Sequence, residues 1–210
     1  RSTLFPYTTL FRSPYSTAPG TPSFTSLTMT SATASWGAAS DDVAVTGYQY
    51  RLNAGSWQSL GNVLSINLTG LSVATAYTFE VRARDGANNL GGASIGTFST
   101  PDTSAPTAPG TPSFTNLTMT SATANWSAAS DNVGVAGYQY RLNASSWQSL
   151  GNVLSINLTG LSAATAYTVQ VRARDAASNF GAASSSSFTT PDTAPIWRSE
   201  ERRVGKECRS

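Results

Sequence analysis

Aspartates supply the one constellation in this sequence with the makings of a ligand set. Asp41 and Asp42 are adjacent, and Asp85 closes an alternating run; Asp131 and Asp175 repeat the pattern ninety residues on, with Asn132 beside Asp131. Carboxylates gathered from two loops can hold a hard cation such as calcium through oxygen ligands. The same side chains can instead cap their own turns by accepting backbone N–H bonds, and this is the favoured reading. A carboxylate pair for glycoside cleavage would need a cleft, and nothing in the sequence supplies one. Trp57 and Trp147 are the second candidates, each just past a turn on an expected edge strand. An exposed indole there could stack on a sugar ring. The favoured alternative packs the ring across the sheet over an arginine stem, where it covers the edge.

Other chemistry is excluded by residue type. The chain has no histidine, so the commonest general base and the Ser-His triad are absent. Its one cysteine, Cys208, lies in a terminal tail set aside below, which removes thiol nucleophiles, thiolate metal sites and disulfides. No Gly-rich phosphate loop occurs, and no cofactor is expected. Arg82 and Arg84 beside Glu80 read as a solvated outer face of little energetic weight. Asn-x-Ser/Thr triplets begin at Asn67, Asn116, Asn125, Asn143 and Asn157; in a Ser/Thr-rich chain they arise readily by chance.

The two ends mirror one another. Residues 1–13 read forwards and 198–210 read backwards can be encoded by reverse-complementary codons: Arg1 (AGA) with Ser210 (TCT), Phe5 (TTT) with Lys206 (AAA), Pro6 (CCC) with Gly205 (GGG). The encoded string resembles a common sequencing-library adapter, so residues 1–13 and most of 194–210 are expected to be non-native and are excluded from fold reasoning. They hold seven of the 13 basic and three of the 11 acidic residues. What remains has six arginines against eight carboxylates, so the formal charge falls from +2 to −2. That removes the case for a nucleic-acid footprint, which needs clustered Lys/Arg. No apolar run is long enough to span a membrane as a helix. Without an initiator Met or a signal peptide, the chain is expected to be a fragment of a longer parent.

The elements that must position these residues come from a repeat. Residues 18–102 align without a gap onto 108–192, and 18 of the 85 pairs differ, leaving 79% identity. A period of ninety suits a complete small domain, not a solenoid unit, and predicts domains over 14–103 and 104–193. Within each, residues 71–85 (LSVATAYTFEVRARD) and 161–175 organise the rest. Tyr77, Phe79, Val81 and Ala83 alternate with Thr78, Glu80, Arg82 and Arg84, the period of a half-buried strand. Further strands are predicted at 23–27, 31–36, 48–52, 57–60, 64–68 and 97–100, with loops at 41–47 and 85–92. Seven short strands without helical periodicity read as an all-β sandwich, in which the loops at Asp41-Asp42 and 85–89 share one end. Phe24, Trp36, Tyr48, Tyr50, Leu52, Leu64, Ile66, Leu68, Leu71, Tyr77, Phe79, Val81 and Phe98 form the predicted core. Pro101, Pro106, Pro109 and Pro112 make the joint between units extended and semi-rigid.

Trp36 on the second strand, Tyr48-x-Tyr50 on the third, and Leu71 six residues before Tyr77 resemble the fibronectin type III pattern; Trp126, Tyr138, Leu161 and Tyr167 repeat it. The resemblance implies a seven-stranded immunoglobulin-like sandwich in which Tyr77 and Tyr167 form tyrosine corners. Residues 131–138 (DNVGVAGY) resemble the version found in bacterial secreted polysaccharide-degrading enzymes and large surface proteins. It implies a non-catalytic, monomeric spacer at the cell surface or outside the cell, partnered by adjacent domains of its own polypeptide. Adhesion to another surface protein, or polysaccharide contact through Trp57 and Trp147, is the alternative. No nucleic-acid partner and no membrane insertion are expected.

Overall fold

The computed structural model describes residues 16–192, so the two mirrored tails lie outside the described residues. The chain divides into two compact units between Thr103 and Ser104. The first contains β1 (Ser23–Thr25), β2 (Ser31–Ser35), β3 (Val45–Leu52), β4 (Gln58–Leu60), β5 (Ser65–Thr69), β6 (Ala76–Asp85) and β7 (Leu90–Ser99). The second repeats them as β8 (Ser113–Thr115), β9 (Ser121–Asn125), β10 (Val135–Leu142), β11 (Gln148–Ser149), β12 (Ser155–Thr159), β13 (Ala166–Asp175) and β14 (Ser184–Thr189).

Each unit is a sandwich of two antiparallel sheets. In the first, a three-stranded sheet β1-β2-β5 packs on a four-stranded sheet β4-β3-β6-β7; in the second the orders are β8-β9-β12 and β11-β10-β13-β14. The alternation in β6 sorts its side chains as predicted. Phe79, Val81 and Ala83 are fully buried, while Glu80, Arg82 and Arg84 between them stay partly exposed. Trp36 from β2's end and Tyr48 from β3 meet across the core with ring centroids 5.7 Å apart, and Trp36 and Phe79 at 5.8 Å. Such aromatic pairs add to the burial of large apolar surface that holds a domain this small together without disulfides. The second core repeats the first, with Val169 in the place of Phe79.

The tyrosine corner forms in both copies. Ser72 N–H donates to Tyr77 Oη at 2.7 Å and Ser162 N–H to Tyr167 Oη at 2.8 Å. Beside each corner a buried threonine ties the same turn. Thr100 Oγ1 accepts the Thr75 N–H at 3.0 Å and donates to Ser72 O at 2.6 Å.

Four predicted features differ. The loop at 41–47 ends earlier, because β3 starts at Val45 and passes a register shift before Gly47. A Cβ on Gly47 would lie 2.7 Å from the Leu60 carbonyl oxygen, so glycine lets the bulged strand approach β4. Leu64 is not core: it is 44% exposed, and its carbonyl accepts the Trp36 N–H from just before β5. The last strand of the first unit begins at Leu90, seven residues before the predicted start, since β6 pairs with it at Leu90 and again from Ala93 to Ser99, across a register shift. Gly91, which reads as loop, sits where a Cβ would meet the Ser16 carbonyl oxygen at 2.6 Å. The first strand stops at Thr25, ahead of Ser26 with φ of 49°.

Candidate functional site

The outer face of each four-stranded sheet gathers the polar side chains that could do chemistry. Antiparallel register puts Arg51 opposite Glu80, Gln49 opposite Arg82, and Gly47 opposite Arg84. Arg51 Nε and Nη2 donate to the two Glu80 oxygens at 2.9 and 2.8 Å. Glu80 therefore serves Arg51 across the strands, not its in-strand neighbours Arg82 and Arg84 as the sequence suggested. Directly opposed residues stand closer than residues two apart along one strand. Arg82 Nε and Nη2 both donate to Gln49 Oε1, at 3.0 and 2.7 Å.

Trp57, half-buried just ahead of β4, lies against this face. The Arg51 and Arg82 guanidinium carbons stand over its ring, 4.6 and 3.9 Å from the centroid. In the second unit Arg141 and Arg172 stand over Trp147 at 4.6 and 4.2 Å. A cation over an aromatic face is attracted by the ring quadrupole, so the indoles organise the arginines. Burial, and then the neighbouring Arg51, lower the pKa of Arg82; burial and Arg141 do the same to Arg172. The sequence packed each tryptophan over an arginine stem but read Arg82 and Arg84 as a solvated face; the cross-strand register decides that the arginines are Arg51 with Arg82, and Arg141 with Arg172.

The aspartates are held by their own loops. Asp85 ends β6 on its inward-facing parity and is 8% exposed. Its Oδ1 accepts the Ala87 and Asn89 N–H groups at 2.8 Å each, and its Oδ2 the Asn89 side-chain amide at 2.7 Å. The Asn89 side chain first, then the loop N–H groups, hold the Asp85 carboxyl below the usual carboxylate range, against the opposing effect of burial. Asp175, fully buried, accepts the Asn179 N–H and side-chain amide at 2.7 Å each. Asp41 Oδ2 accepts from the Val43 and Ala44 N–H groups, and Asp131 Oδ2 from those of Val133 and Gly134. The last two donors lower the Asp131 pKa. Asp42 is exposed. The second unit brings Asp131 and Asp175 oxygens within 4.8 Å of each other. Of the four oxygens in this pair, Asp131 Oδ1 alone is buried without a hydrogen-bond partner. This is the geometry of capped turns, in which side-chain oxygens replace backbone acceptors.

Among the described residues, no helix is long and apolar enough to cross a membrane. Residues 105–190 match the family model of the fibronectin type III domain. The chain is 39% identical over 172 residues to chitinase A1 of Niallia circulans, an alignment covering 79% of this chain and 24% of that protein. It is 39% identical over 183 residues to endoglucanase B of Cellulomonas fimi, covering 80% of this chain and 18% of that protein. The chain thus spans a quarter or less of either relative. Among solved structures, a two-domain fibronectin type III segment of chicken tenascin is similar at 19% identity, with a TM-score of 0.40, over 82% of this chain and 99% of that one. The second unit matches the family model, and the first repeats its sequence without a gap and its strand order sheet for sheet. The chain is a tandem pair of fibronectin type III domains.

Proposed function

We propose that the pair, over residues 14–103 and 104–193, is a non-catalytic spacer and presentation module of a larger bacterial extracellular glycosidase. Residues 1–13 and most of 194–210 are foreign to it, and its partners are the adjacent domains of its own polypeptide. The observation that carries this reading is the pattern of similarity. About four-fifths of the chain aligns with named polysaccharide-degrading enzymes, yet it accounts for a quarter or less of their length. The side chains support it. The chain has no histidine, the aspartates cap turns, and the tryptophans carry guanidinium groups over their rings. Proline at 101, 106, 109 and 112 supports a stiff joint.

Purified residues 14–197 should hydrolyse neither chitin nor cellulose and should not be retained on either polymer. Hydrolysis would end the non-catalytic reading. Saturable retention lost in a Trp57→Ala/Trp147→Ala double variant would replace the spacer with a carbohydrate-binding module. Sedimentation of the same material should give a monomer.

A further inference from the structure

The two units differ systematically on one surface. Six of the 18 differing pairs fall on or beside the outer face of the four-stranded sheet: 80/170, 88/178, 90/180, 95/185, 97/187 and 99/189. In the first unit, Glu80 occupies the Arg51 fork as a bidentate carboxylate. In the second, the same position is Gln170, whose amide oxygen accepts from Arg141 Nε. An amide leaves the guanidinium charge uncompensated where a carboxylate cancels it. Asn88, which accepts from Arg84 Nη1 at 3.1 Å, becomes Ser178 beside Arg174. Leu90 becomes Phe180, and Arg172 now lies 4.2 Å from the centroids of both Trp147 and Phe180. Ile95, 57% exposed and opposite Glu80, becomes Ser185 opposite Gln170.

Four of these changes move the surface in one direction, while 97/187 and 99/189 exchange one hydroxyl side chain for another. Acceptors for the arginines are lost, an exposed aliphatic side chain gives way to a hydroxyl, and a half-exposed aromatic ring is added. Asp175 lies on the buried parity of β13, and Asp131 is held by the N–H groups of its own loop. In the first unit a carboxylate fills this fork through two hydrogen bonds, whereas in the second Gln170 meets Arg141 Nε with a neutral amide oxygen.

We infer that the outer face of β11-β10-β13-β14 binds a polysaccharide bearing carboxylates, with Arg141, Arg172 and Arg174 as its anion contacts. Gln139 Oε1 holds Arg172 in place by accepting its Nε and Nη2. Ser185 and the bonded Thr168–Ser187 hydroxyl pair face sugar hydroxyls, and Phe180 offers a ring against which a sugar can lie. Binding of this kind goes beyond the spacer role and is independent of it, since chitin and cellulose are neutral.

Calorimetric titration of the whole chain at low salt with oligogalacturonate should show saturable binding at one site, weakened by added salt. Gln170→Glu should weaken it about tenfold, the loss of one charge-assisted contact. That variant copies the first unit's own pairing, so its melting curve should match the parent's. Arg51→Gln in the first unit should leave binding unchanged, and fully methyl-esterified oligogalacturonate should not bind. Absence of binding to the parent chain overturns the proposal. So does undiminished binding by Gln170→Glu, loss of binding in Arg51→Gln, or equal affinity for the methyl ester or for poly-glutamate.

Discussion

Tyr77 and Asp85 show how single side chains in β6 secure the loops at its two ends. The Tyr77 hydroxyl accepts one backbone N–H from the turn that precedes the strand. Tyr77→Phe keeps the ring packed on Phe98 and removes that acceptor. It should lower the stability of the first unit by about 1 kcal/mol in urea unfolding, the net worth of one hydrogen bond; no change would leave the corner without an energetic role. Asp85 titrates below its ordinary value because the charged form accepts the Asn89 amide and the loop N–H groups. A pKa depressed by folding stabilises the fold above the unfolded value of about 4 and loses that contribution as pH falls through the folded value. Asp85→Asn should therefore destabilise the first unit at neutral pH, and the gap from the parent should narrow in urea melts taken below about pH 4. A gap constant across that range would sever the link to ionisation. In the core, Trp36→Ala removes an indole that is 5% exposed and contacts Tyr48 and Phe79. The expected loss is about 3–5 kcal/mol, enough to abolish cooperative melting of that unit by circular dichroism; an unchanged transition would place the residue outside the core.

At the level of elements, the bulge in β3 sets how the edge strand β4 is held. Gly47 permits the Leu60 carbonyl to come close, and the Leu60 edge is where Trp57 begins to cover the sheet. A methyl group at that position must push β4 away, because the atom it meets is backbone. Gly47→Ala should cost about 1–3 kcal/mol and should raise hydrogen-exchange rates in β4 more than in β5. Uniform exchange would mean that the strain spreads through the whole sandwich. The same element explains why the charged pairings on this face escaped a reading of single strands. Glu80, Arg82 and Arg84 are neighbours along β6 in sequence, but their partners Arg51 and Gln49 come from β3 through register. A one-residue slip would exchange every such pair for a buried one.

For the molecule as a whole, each core cluster is composed of residues from one unit alone. Residues 104–193 expressed without the first unit should therefore show a cooperative melt and a near-UV circular dichroism spectrum of packed aromatics; an unstructured product would mean the unit is not autonomous. Legible from the sequence were the gapless repeat, the strand alternation in β6, the buried Trp36 and Tyr48, and both tyrosine corners. The repeat follows from comparing the chain with itself, and the corners from the family resemblance. The alternation and the burial of Trp36 and Tyr48 depend on spacing within one segment, which period-two geometry converts directly into burial. Leu64 misled for the same reason: its parity is right for the core, but its backbone has not yet entered β5.

Decided only by the tertiary structure were the partners of the charged side chains: Glu80 on Arg51, Gln170 on Arg141, and which two arginines stand over each of Trp57 and Trp147. Burial is set locally, by a residue's place in its own strand. A salt bridge or a stacked cation is set by which residue of another strand arrives opposite, and that is fixed only when the sheet has closed with its bulge and its register in place.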